Sequence, residues 1–226
     1  MKILALDTST EYCSTALWLD GAVDVRDTRA GQEHSELLLG MIDDLLRAHA
    51  LALRDLDGIA YGEGPGSFTG LRIACGVVQG LAYGADLPVV GIGTLLAMAA
   101  GSGAARVVCC IDARMHEVYH AAYEADGDAW RVIHAPSVCA PHAAPALEGD
   151  GWLGCGSGFG AYREMLESRY AGRLSRIDAD SYPHAAAIAR LAVSRFEAHD
   201  TASAEFAAPV YVRNKVALRT DERPAR

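Results

Sequence analysis

Several short runs in this chain have residue types and spacings that could do chemistry. His116-Glu117-Val118-Tyr119-His120 matches H-E-x-x-H, which binds zinc when both imidazoles share one helix face and the glutamate serves as general base. The local alternation predicts a strand instead. Strand residues four apart stand roughly 13 Å from each other, at about 3.3 Å per residue. His116 and His120 therefore cannot close on one metal, and no metal site is expected.

Asp7-Thr8-Ser9-Thr10 and Asp112-Ala113-Arg114 each end an apolar run. A carboxylate and hydroxyls at a hairpin tip suit a nucleotide phosphate with magnesium, since oxygens coordinate the cation and donors meet the phosphate. Two such hairpins across a cleft would resemble the actin, Hsp70 and sugar-kinase architecture. Against this, Arg114 and Met115 stand where a phosphate hairpin would carry Gly, Ser or Thr. Asp7, Thr8 and Ser9 are kept as weak cofactor-binding candidates, and no cofactor is expected. Asp7 and Asp112 carry the rival reading, an independent small-molecule kinase or ATPase. A metalloprotease through His116 and His120 is the weaker rival.

The stretch from Gly62 to Gly84, GEGPGSFTGLRIACGVVQGLAYG, holds seven glycines in twenty-three residues. It lacks the lysine of a Walker A loop, so its start reads as a strand-to-helix turn with at most weak anion affinity. GCGSGFG, from Gly154 to Gly160, lacks G-x-G-x-x-G spacing and reads as a tight turn.

These residues need elements to hold them. KILALD, CSTALWL and AVDVRDT, with Asp20-Gly21 as a hairpin turn, predict a three-stranded meander. A helix from Glu33 to Ala48, a strand at DGIAYGEG, a helix from Ser67, a strand at PVVGIG and a helix from Thr94 follow. The pattern then restarts: Asp112 lies 105 residues after Asp7, and Asp126-Gly127 trails Asp20-Gly21 by 106. Next come a Pro- and His-rich connection, a strand at GWLGCG, and helices from Ala161 to Tyr170 and from His184 to Ala198. The expected fold is α/β, two lobes with duplicated βββαβα units. The division expected is residues 1–101, residues 102–204, and a return segment and tail over 205–226.

Two helices of the first lobe are too apolar for an ordinary surface. On a wheel of about 100° per residue, Leu37, Leu38, Leu39, Met41, Ile42, Leu45 and Leu46 span an arc of roughly 200°, against a little over 100° for a surface helix. Along the second helix, Gly76, Gly80 and Gly84 line one face, although glycine costs about 1 kcal/mol against alanine in a helix interior. A protein partner is expected there. The contact residues expected are Leu38, Met41, Ile42, Leu45, Ile73, Val77 and Leu81, with Gly76 and Gly80 allowing close approach.

Composition bounds the alternatives. The 226 residues carry a net charge of −9 and are 51% hydrophobic, with no run long enough to span a bilayer. The acidic balance disfavours direct binding to a phosphate backbone, so any role on nucleic acid runs through a partner. The one basic-leaning segment is the tail, Arg213, Lys215, Arg219, Arg223 and Arg226. The six cysteines include no Cys-x-x-Cys pair and read as buried thiols. The N-terminal apolar run is too short for a signal peptide, and a cytoplasmic protein is expected.

LALDTST, HSELLL at His34 to Leu39, GEGPGSFTGLRI at Gly62 to Ile73, DARMHEVYHAAY from Asp112 and PVYVRNKVA from Pro209 together resemble the TsaB (YeaZ) family. The resemblance runs from Met1 to about Ala217 and makes HEVYH a variant of the family's EVY strand motif. It implies an actin-like (ASKHA) fold and a cytoplasmic scaffold subunit without catalytic residues of its own. Its two first-lobe helices would pack on those of the related catalytic subunit TsaD, which transfers a threonylcarbamoyl group to the adenosine beside the anticodon of tRNAs. An ATPase, TsaE, would join them, and tRNA would be met only indirectly. Independently of the resemblance, the apolar helices leave a homodimer as one possible form without the partner.

Overall fold

The computed structural model describes residues 1–213; the tail residues Lys215, Arg219, Arg223 and Arg226 lie outside them. The first sheet is built from β1 (Lys2–Asp7), β2 (Tyr12–Leu19), β3 (Ala22–Arg29), β4 (Gly58–Gly64) and β5 (Val89–Gly93), in the order β3-β2-β1-β4-β5. The second uses β6 (Arg106–Asp112), β7 (Val118–Asp126), β8 (Ala129–Cys139), β9 (Trp152–Cys155) and β10 (Leu174–Asp178), in the order β8-β7-β6-β9-β10. Each sheet is an antiparallel meander extended by two parallel strands. The repeat of spacing is thus a repeat of topology.

The helices depart from the repeat. Between β3 and β4 runs α1 (His34–Ala48), whereas the corresponding stretch of the second lobe has only a 3-10 turn at Pro141–Ala143. Between β4 and β5 runs α2 (Phe68–Ala85), and between β9 and β10 stand two short helices, α4 (Ser157–Ala161) and α5 (Arg163–Arg169). The single helix expected over 161–170 begins earlier and is split, because Tyr162 takes φ −131° between the two pieces. β10, unforeseen in the sequence, is a half-exposed edge strand with no apolar run to mark it.

The last helix of each half, α3 (Thr94–Gly101) and α6 (Ala185–Glu197), crosses over. Leu95, Met98 and Ala99 of α3 pack with Val107, Cys109, Ala121 and Leu153 of the second sheet. Ala185, Ile188, Ala189, Ala192 and Phe196 of α6 pack with Ile3, Ala5, Ala60, Val90 and Ile92 of the first. The first sheet ends along the chain at Gly93 and the second begins at Arg106, but each half lends a helix to the other's core. The outer face of the first sheet is covered by α1 and α2, through Leu38, Ile42, Leu45, Ala74, Val78 and Ala82.

The six cysteines are free thiols, five of them buried. Among the described residues, no helix is long and apolar enough to cross a membrane.

Candidate functional site

The surface of α1 and α2 divides the expected contact residues into two groups. Leu38, Ile42 and Leu45 are 0%, 3% and 0% exposed and belong to the lobe's own core. They correct the expectation: the wide apolar arc contains both the stripe that seats α1 on its sheet and the part left outside. Met41, Ile73, Val77 and Leu81 are half-buried at the margin of that core, together with Leu37 and Leu46. Leu39, part of the wide apolar arc but not among the expected contact residues, is 52% exposed, and Tyr83 is 83% exposed. Gly76, Gly80 and Gly84 are open: among the described residues nothing stands within 4 Å of where a Cβ would be.

The rest of α2 is covered from an unexpected side. After α6 the chain returns along the first lobe, bridging Val89 to Ala202, and runs beside α2. Gln79 Nε2 donates to the carbonyl of Ala207 at 2.8 Å, and Arg72 Nε donates to the Tyr211 hydroxyl at 3.1 Å. Two polar side chains of a largely apolar helix thus tie down the C-terminal return. Tyr61 does the same, its hydroxyl accepting from Ala208 N–H at 3.0 Å. Arg72 also stacks over Phe68, 3.7 Å from the ring centre, and Phe68 meets Tyr211.

The hairpin Asp7-Thr8-Ser9 is buried, each residue 0–1% exposed. Asp7 Oδ1 accepts both the N–H and the Oγ–H of Ser9 at 2.8 Å. Burial pushes this carboxyl up to about 7, against the lowering effect of the two Ser9 hydrogen bonds and of His184. The carbonyl of Ser9 accepts from Ser67 N–H at 2.7 Å, and Thr8 Oγ1 donates to the carbonyl of Gly70 at 2.7 Å. A Cβ on Gly62 would overlap the Asp7 carboxylate, on Gly66 the Ser9 carbonyl, and on Gly70 the Thr8 carbonyl. Three glycines four apart therefore seat three consecutive residues of the hairpin. The glycine string fits the protein's own backbone: Thr8 Oγ1 and the Ser9 carbonyl bond to it, whereas Asp7 Oδ1 bonds to Ser9 and Asp7 Oδ2 has no partner among the described residues.

Between the hairpins of the two lobes lies a cleft of about 820 Å³, lined by Thr10, Glu11, Ser67, Asp112, Tyr211 and Arg213 among others. Its charges are paired internally. Asp112 accepts from Arg114 N–H and Nη1 at 2.9 Å and from the Tyr162 hydroxyl at 3.2 Å. Arg213 pairs with Glu117, and Arg29 pairs with Glu11 at 3.3 Å.

HEVYH is not continuous strand, as the alternation suggested. Arg114, Met115 and His116 all take positive φ, near 60°, and form a turn before β7. His120 lies buried within β7 with neither ring nitrogen hydrogen-bonded among the described residues, and burial pushes it down to about 4. The described residues contain no group of three or more His, Cys, Asp or Glu placed to hold a metal.

A family model described as TsaD, tRNA N6-adenosine threonylcarbamoyltransferase, matches residues 25–219. The chain is 40% identical to the tRNA threonylcarbamoyladenosine biosynthesis protein TsaB of Escherichia coli (strain K12), over 97% of each chain. It is 39% identical to the protein of that name from Haemophilus influenzae, over 96% of this chain and 95% of that one. YeaZ from Pseudomonas aeruginosa superposes with a TM-score of 0.86 at 38% identity, over 93% of this chain and 99% of that one. Another solved structure, described as an uncharacterized protein with similarity to peptidase YEAZ from the same organism, gives 0.87 at 38% identity, over 94% and 99%. On a two-lobed actin-like (ASKHA) α/β fold with near full-length likeness of this degree, the chain belongs to the TsaB (YeaZ) family of tRNA threonylcarbamoyladenosine biosynthesis proteins.

Proposed function

We propose that this protein is a non-catalytic scaffold subunit of the cytoplasm that docks α1 and α2 onto a TsaD-type catalytic homologue. That homologue carries out transfer of the threonylcarbamoyl group to the adenosine beside the anticodon. One observation carries the reading: Leu39 and the open glycine face of α2 leave apolar surface uncovered beside a complete core. An apolar patch of this kind, flanked by polar residues such as Glu36, Asp43 and Arg47, suits a protein partner. A TsaE-type ATPase would join through the complex, and tRNA would be contacted through the partner. Without the partner, two copies would cover the same face.

The kinase or ATPase reading has less support. The Asp7 hairpin is committed to the start of α2, and Asp112 to Arg114 and Tyr162. A peptidase through His116 and His120 has a turn residue and a buried strand residue where a shared helix face is required.

Co-expression with the catalytic homologue of the same genome tests the proposal. Elution as one stoichiometric complex on sizing is the expected result. Separate elution, or magnesium-dependent ATP hydrolysis by the lone chain that Asp7→Ala abolishes, would overturn it.

A further inference from the structure

Asp7 is a fully buried carboxylate whose only hydrogen bonds, among the described residues, come from Ser9; its Oδ2 is buried without a partner. Burying such a group costs free energy, and all that its bonds secure is the turn at Thr8 and Ser9. That turn holds the first turn of α2, through Ser9 C=O to Ser67 N–H, Thr8 Oγ1 to Gly70 C=O, and the close seats at Gly66 and Gly70. Ser67 in turn caps the helix, its Oγ accepting from Gly70 N–H at 3.3 Å.

We propose that Asp7 is a positioning residue for the docking face: by fixing the Thr8–Ser9 turn it sets the seat and direction of α2, and so where Gly76, Gly80 and Gly84 meet a partner. The inference rests on the docking function proposed above. The lever is long. At about 1.5 Å per residue an 18-residue helix runs about 27 Å, so a tilt of about 5° at its start moves its far end by about 2 Å. Contacts between apolar side chains reach only to about 4.5 Å, so a shift of that size breaks a fitted face. The far half of α2 is held on the sheet by Val78 and Ala82 and to the return segment by Gln79, so Asp7 sets the direction of the helix jointly with those contacts, while its outer face stays open at all three glycines.

The test is titration of the full-length chain with the TsaD-type homologue, alongside hydrogen exchange of the lone chain. Asp7→Ala is expected to weaken binding at least tenfold and to speed exchange at the amides of Ser67, Gly70 and Leu71, leaving β6 to β9 unchanged. Asp7→Asn, whose side-chain carbonyl still accepts from Ser9, is expected to bind within threefold of the parent. Binding by Asp7→Ala within threefold, while Gly80→Arg does not bind, would overturn the inference and leave the docking function standing. Equal weakening by both Asp7 variants with faster exchange across both sheets would mark a merely structural role and also overturn it. If Gly80→Arg binds like the parent, the docking function fails, and the exchange pattern alone decides whether Asp7 seats α2. Should Asp7→Ala not fold, Thr8→Val removes the bond to Gly70 with little change in shape. It is expected to weaken binding threefold or more with the same local exchange, and unchanged binding would overturn the inference.

Discussion

The carbonyl of Ser9 accepts the amide proton of Ser67 at 2.7 Å, so the first hairpin of the chain and the first turn of α2 are one structural unit. Residues 58 apart in sequence share this contact, and the glycines at 62, 66 and 70 are what let the two backbones meet.

The glycines of the string are therefore of two kinds. Gly70→Ala drives a Cβ into the Thr8 carbonyl and should cost about 1–3 kcal/mol, as overpacking does. Gly76→Ala enters open space within a helix and should gain about 0.5–1 kcal/mol. Denaturant melts of the lone chain measure both; similar losses for the two would contradict the assignment.

Asp7 gives stability an unusual pH dependence. Its carboxyl lies near 7 in the folded chain, against 3.8 ordinarily. The folded state thus holds this proton where the unfolded chain has released it, and stability falls as pH rises from about 4 through about 7. The loss attributable to Asp7 is at most about 4 kcal/mol. Asp7→Asn should flatten that part of the curve and be the more stable protein at pH 8. A parent and variant with parallel curves would refute this.

Neighbouring leucines on α1 should behave oppositely. Leu38 is fully buried and Leu39 is not. Leu38→Ala should lose about 2–5 kcal/mol through its cavity, while Leu39→Ala should stay within about 0.5 kcal/mol. Thermal melts decide the point, and equal effects would contradict the placement of α1.

Most of the architecture was legible because it rests on local signals. Asp-Gly turns between alternating runs marked both meanders, and the recurrence of Asp7 at Asp112 marked the repeat. What stayed hidden depends on which surfaces meet at long range. A 200° arc on α1 cannot say which leucines face the lobe's own sheet, so Leu38, Ile42 and Leu45 were assigned to a partner. The exchange of α3 and α6 between sheets has no local signature either. The reason for the polar residues Gln79 and Arg72 on α2, the returning segment at Ala207 and Tyr211, is 128 and 139 residues away. His116 was misplaced because alternation of residue types cannot reveal three consecutive positive φ angles.

The docking face is tested most directly by titrating the TsaD-type homologue into the parent chain and into Gly80→Arg, whose side chain projects from an open position without touching the core. The expected result is a one-to-one complex with the parent and no measurable binding by a variant that melts like it. A Gly80→Arg chain that binds with the parent's affinity would contradict the account.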